Sequence, residues 1–128
     1  MERRGLESAK NVAYFEYDFN IDGGAVGTIA LRGDRFPKNA VCEDGIIHVT
    51  RAVTSGGAPT VTLGVETAVD VLASTLKAAL SLNALLDIVP VGSAATAIRT
   101  TVDGRGITMT IGVAPITDGQ FTIACEYY

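Results

Sequence analysis

The sequence closes on ITMTIGVAPITDGQFTIACEYY, Ile107 to Tyr128, and this stretch constrains the fold more than any other. It holds two alternating runs, I-T-M-T-I-G-V and F-T-I-A-C-E-Y, around the turn-rich PITDGQ. Successive side chains of a strand point to opposite faces, so both runs read as strands and the pair as a closing hairpin. Ile107, Met109, Ile111, Val113, Phe121, Ile123, Cys125 and Tyr127 form its core face. Thr108, Thr110, Gly112, Thr122, Ala124, Glu126 and Tyr128 form the other, which is small and neutral with a single charge.

The same reading extends upstream. VAYFEYDF (Val12 to Phe19), AVGTIAL (Ala25 to Leu31), GIIHVTRAV (Gly45 to Val53), TVTLGV (Thr60 to Val65) and TAIRTTV (Thr96 to Val102) have strand composition and are separated by Gly, Asp and Pro turns. ALLDIVPVG reads as a loop or short strand. In ETAVDVLASTLKAALS the period changes: Val69, Leu72, Leu76 and Leu80 step by three or four, which predicts one helix of about three turns. Short strands at this spacing define a mainly β chain, an antiparallel β-sandwich or jelly roll with one short inserted helix. Residues 1–11, polar and aperiodic, read as a flexible N-terminal arm, and residues 12–128 as a single domain. T-V-T-L-G-V and T-M-T-I-G-V echo each other, as Thr/Val alternation does in many β proteins.

Charge then bears on function. Only 19% of the 128 residues are charged, below the roughly 25% usual for a soluble domain, while 48% are hydrophobic. Thr, Ala and Gly stand where a monomer would place Lys and Glu, which favours an assembly subunit. The net charge of −4 argues against nucleic acid, since Arg3, Arg4 and Lys10 are interleaved with Glu2 and Glu7. The apolar stretch Ala68 to Val91 is broken by Asp70, Lys77, Asn83 and Asp87, so no membrane span is expected. Met1 to Asn11 lacks the apolar core of a signal peptide. Cys42 and Cys125 read as buried small hydrophobes that could also pair.

Catalytic equipment is sparse. His48 is the single histidine and shares a strand face with Ile46 and Thr50; no nucleophile elbow, phosphate loop or dinucleotide fingerprint is present. No enzyme activity, small-molecule substrate or cofactor is expected. Asp18, Asn20 and Asp22 followed by Gly23 match the opening of a calcium loop. Position twelve is Ile29 where the bidentate Glu belongs, so these three are metal candidates only in part and fit an Asx-rich turn as well. Arg32-Gly33-Asp34 is ordinary turn chemistry after a strand.

FEYDFNIDGGAVGTIALRGDRFPKNAV, IIHVTRAVTSGGAPTVTLGVETAVD and the closing ATAIR…ITMTIGVAPITDGQFTIACEYY together resemble the decoration, or cement, proteins of tailed-bacteriophage heads. The resemblance spans the chain from about Tyr14 onward and departs from the family pattern at Gly23-Gly24. It implies a compact β-sandwich or jelly roll without catalysis, assembled as homotrimers on the outer surface of the capsid, bridging major capsid subunits and made in the host cytoplasm. Subunit or shell contacts would then fall on Arg3, Arg4, Thr108, Thr110, Thr122, Glu126 and Tyr128. The alternative is a receptor- or carbohydrate-binding β-sandwich of a phage tail or fibre; the lack of Trp weighs against it.

Overall fold

The computed structural model describes residues 11–128. Ten strands occur among them: β1 (Asn11–Asp18), β2 (Gly27–Ala30), β3 (Arg32–Gly33), β4 (Val41–Thr54), β5 (Thr60–Gly64), β6 (Leu72–Leu76), β7 (Leu85–Asp87), β8 (Ile98–Arg99), β9 (Thr108–Gly112) and β10 (Asp118–Tyr127). One helical turn, α1 (Phe19–Asp22), follows β1, and a 3-10 turn covers Lys77–Ala79. Pairing is antiparallel throughout. The larger sheet runs β3-β1-β10-β4-β7, with β8 also on β4; the smaller runs β2-β9-β5-β6. The expected antiparallel sandwich is therefore the fold.

The core lies between the sheets. From the larger come Ala13, Phe15, Tyr17, Ile47, Val49, Phe121 and Ile123, and from the smaller Val61, Leu63, Met109 and Ile111, all essentially without exposure. Aromatic rings cluster in two places. Phe15 and Phe36 are 5.5 Å apart, with Tyr127 edge-on to Phe36, while Tyr17 stacks obliquely on Phe121 at 5.2 Å. Tyr17, Phe15, Phe36 and Phe121 are the largest fully buried side chains of the core. Thr100 is wholly buried and ties the 37–41 segment down, donating to the Pro37 carbonyl at 2.6 Å and accepting from the Ala40 N–H at 2.9 Å.

The closing runs do not form a hairpin. β9 lies in the smaller sheet and β10 in the larger, so their apolar faces meet across the core. Val113 takes φ +71° and is 79% exposed, departing from the expected core face, and Pro115 follows it. The chain then crosses between sheets, with Ile116 buried and its N–H donated to the Gly24 carbonyl. Proline cannot donate to a ladder, and a β-branched residue at positive φ ends one.

The expected three-turn helix is also absent. Asp70 accepts the N–H groups of Val65, Glu66 and Thr67 at 2.7, 2.9 and 3.0 Å, closing a tight turn. Leu72–Leu76 then pairs with β5 as an edge strand. Val69 and Leu76, two of the four residues in the helical stripe, are exposed, whereas Val71, Leu72 and Leu80 are buried. An open ladder on β5 and a carboxylate satisfying three turn amides outweigh helix propensity, which differs among ordinary residues by only about 0.7 kcal/mol each. At the other end β1 begins at Asn11, the last residue assigned to the arm; the rest of the arm lies outside the described residues.

Candidate functional site

The two echoing segments are partners. β5 and β9 pair with Thr60 opposite Gly112, Thr62 opposite Thr110 and Gly64 opposite Thr108, so the repeat is related to itself by a local two-fold. Alternation sends Val61, Leu63, Met109 and Ile111 inward and the threonines and Gly112 outward, while Gly64 is covered by the turn at Thr67 and Ala68. β2 extends the outer face with Thr28 beside Thr110 and Ala30 beside Thr108, and β6 adds Leu76 beside Thr60. The Thr28 and Thr110 hydroxyls lie 3.5 Å apart, and Thr108 donates to the Gly64 carbonyl. GTIA, TVTLG, LASTL and TMTIG contain no charged residue, so the strands of this sheet present an uncharged outer face, with Arg35 and Arg105 bordering it at the Ala30–Thr108 end.

The outer face of the larger sheet differs. Neighbouring strands place Tyr14 beside Ala124, Ala124 beside Ile46 and Ile46 beside Asp87, with Val12, Glu126 and Asp44 in the next row. Tyr14, Val12 and Ile46 are substantially exposed, and Leu85 is 69% exposed beside His48. The small Ala124 leaves a groove of about 350 Å³ between its larger neighbours, bordered by Asp44 and Glu126. His48 itself faces outward with Ile46 and Thr50, as its alternation implies.

The proposed contact residues therefore divide between opposite sides of the molecule. Thr108 and Thr110 belong to the smaller sheet; Thr122, Glu126 and Tyr128 belong to or end the larger one. They form no single face, because the strands that carry them never pair. Arg3 and Arg4 lie outside the described residues. Sequence reasoning missed Thr28, Thr60 and Thr62 on one side and Tyr14, Ile46 and Leu85 on the other. The available signal was the Thr-Val-Thr echo, which marks two neighbouring strands once it is read as a pair.

The calcium-like segment is a charge-paired turn. Asp18 caps α1, accepting the Asn20 N–H at 2.9 Å, and Asp22 accepts the Asp18 N–H at 2.8 Å. Arg51 binds Asp18 at 2.9 Å and Asp118 at 2.8 Å; Arg32 binds Asp22 at 3.0 Å and Glu16 at 3.1 Å. Asp18 and Asp22 thus face guanidinium groups, and the loop that would wrap a cation is a helical turn instead. Extra residues in β4 between Val49 and Thr54, opposite Gly119 (φ +152°) and Gln120, shift the ladder so that Arg51 stands opposite Gln120. Arg32 is consumed by this network, and Asp34 accepts the Tyr14 N–H, so the Arg-Gly-Asp triplet is built into β3 and its turn.

The arginines set the local acid–base behaviour. The Arg51 hydrogen bond, helped by the Asn20 amide, holds the Asp18 carboxyl below its usual range. Burial pushes Asp22 up, but hydrogen bonds from Arg32 and the Asp18 amide outweigh it, and the net shift is downward. Burial and the nearby Asp22 and Asp18 charges raise the Tyr17 hydroxyl to about 12, and it donates to the Gly23 carbonyl at 2.6 Å. Depressed carboxylates stabilise the fold above their unfolded pKa near 3.8, and that contribution fades as pH falls through the lower folded value. Arg51→Gln is accordingly expected to lower the melting temperature at pH 7 by a few degrees, with the gap to wild type closing as pH falls below about 4. Thermal melts across that range check it; a gap independent of pH would mean that Arg51 acts by packing alone.

Cys42 and Cys125 are unbridged and fully buried. A hydrogen bond with the Cys42 thiol, reinforced by burial, pushes the Cys125 thiol far up, so Cys125 stays protonated at neutral pH. Among the described residues no three His, Cys, Asp or Glu side chains are grouped to hold a metal ion. None of their helices is long and apolar enough to cross a membrane.

The chain is thus a two-sheet antiparallel sandwich whose smaller sheet has an uncharged outer face and whose larger sheet carries a partly apolar groove edged by carboxylates. No family model matches it, and no curated protein matches it. Among solved structures it is similar to a chain of the cyanophage Pam1 capsid asymmetric unit, with TM-score 0.69 and 13% identity over 100% of this chain and 89% of that one. A chain of the acidic stable capsid of Helicobacter pylori bacteriophage KHP30 gives TM-score 0.61 and 15% identity, covering 92% and 86%. One from the capsid of Ralstonia phage GP4 gives TM-score 0.61 and 20% identity, covering 91% and 83%. At these identities the likeness is one of fold.

Proposed function

We propose that this chain is a structural protein of a tailed-phage capsid. It acts as a decoration protein that associates with its own copies and braces the shell from the outer surface of the virion. It performs no chemistry. The observation that carries this reading is the uncharged outer face of β2, β9, β5 and β6. Charge is depleted at the centres of protein interfaces, and a four-stranded face of Thr, Ala and Gly meets another protein without burying an unpaired ion. The whole-length likeness to chains from three phage capsids supports it, since those chains are themselves close to this one in length. The sparse catalytic inventory is consistent with a structural role.

The 13.3 kDa chain is expected to form a small closed oligomer, a trimer in this reading, with the uncharged faces turned toward neighbouring copies. Sedimentation velocity at micromolar concentration tests it. A mass near three times that of the chain is the expected result. A single monomeric boundary up to about 100 µM would overturn self-association through this face.

A further inference from the structure

The larger sheet's outer face is built for a different occupant. Its centre is the row Tyr14, Ala124 and Ile46, with Val12 and Leu85 adjoining, and its rim carries Asp44 and Asp87. The arginines of this sheet at the opposite end, Arg32 and Arg51, are already bound to Asp22, Glu16, Asp18 and Asp118. Asp44 and Asp87 therefore give the groove an acidic edge, while the exposed Arg99 lies farther along β4, beside Val41. A second copy presenting the same face would bring carboxylates against carboxylates, which disfavours homotypic contact. An exposed tyrosine at the centre of such a patch is a common anchor in protein interfaces.

We infer that this face is a second docking surface, separate from the self-association face, and that its occupant is a cationic, partly apolar protein surface. Under the reading above, on which this inference rests, that surface belongs to the shell. The sandwich then works as a two-sided adaptor: the uncharged side joins copies, and the acidic side seats them. Tyr14 fills a hollow on the partner, while Asp87 and Asp44 meet its Lys or Arg side chains and fix the register. Opposite charges across an interface chiefly speed and orient docking, so attachment is salt-sensitive whereas self-association is not.

The test uses the full chain, heads of the parent phage prepared without it, and two surface variants, Asp87→Lys and Tyr14→Ala, whose melting temperatures verify folding. Each variant is expected to lose at least tenfold in affinity for the heads while keeping the wild-type mass in solution. Raising salt from about 0.05 to 0.5 M should weaken wild-type binding several-fold and Asp87→Lys binding less. Wild-type affinity in both variants would overturn the inference and leave the proposed function standing. Failure of the wild-type chain to bind heads at all would overturn the proposed function and the inference with it. A changed solution mass in either variant would assign the face to self-association instead. Tighter binding after removal of residues 1–10 would make the chain's own N-terminal segment the occupant. Either result contradicts the proposal.

Discussion

Gly45→Val is expected to lower the melting temperature by about 10 °C or more. Gly45 lies within β4 at the middle of the larger sheet, opposite Cys125. A Cβ there would run into the Ala124 carbonyl oxygen, with Ile88 Cδ1 at 2.9 Å and Cys125 Cα at 3.1 Å. Two of the three obstacles are backbone of the neighbouring strand, so a rotamer change cannot make room. Relief requires β4 and β10 to separate, and β10 carries Phe121 and Tyr127, one ring of each aromatic cluster. Overpacking costs about 1–3 kcal/mol and more where backbone must move; about 3 kcal/mol corresponds to roughly 10 °C in a domain of this size. Gly56→Ala is the control, because nothing lies within 4 Å of its added Cβ, and it should melt within a degree or two of wild type. A Gly45→Val protein that melts with wild type would mean that the β4–β10 pairing is looser than this packing requires.

Thr110→Lys is expected to break self-association without unfolding the chain. Thr110 stands between Thr28 and Thr62 near the middle of the uncharged face. On a free surface a lysine there would be harmless, since its ammonium reaches water along a flexible stem. In a contact between copies it must be desolvated with no carboxylate on any of the four strands to meet it, at a cost of several kcal/mol. At least a hundredfold weaker association follows, read as a shift from oligomer to monomer in sedimentation velocity at unchanged melting temperature. Thr110→Ser keeps the face neutral and should retain the oligomer. If Thr110→Lys assembles as well as wild type, the uncharged face is bathed in water.

Much of this architecture is legible in the amino-acid order, and the misses have physical causes. Alternation identifies Ile107, Met109, Ile111, Phe121, Ile123 and Cys125 as core, and each is buried. Alternation fixes which way a side chain points and says nothing of which strand lies alongside. That is why β9 and β10 read as a hairpin although they belong to opposite sheets. Val113 and Pro115 mark the crossing only once a positive φ is known. The segment from Glu66 to Ser81 fits a helical period by coincidence of four apolar residues, and the deciding contacts, Asp70 with three amides and β6 with β5, are made with its surroundings. The candidate site was half legible. Thr108 and Thr110 were identified, but the charge-free face is a property of four strands brought together from residues 27 to 112. Asp18 and Asp22 look like cation ligands in sequence because their arginines, Arg51 and Arg32, arrive from other strands.

The most direct measurement is co-sedimentation of the purified chain with emptied heads of the parent phage that lack it, followed by titration to saturation. A capsid decoration protein binds such heads saturably, at a fixed number of copies per shell subunit, and raises the temperature at which they come apart. A chain that stays in the supernatant at every concentration, and leaves that temperature unchanged, would contradict the account.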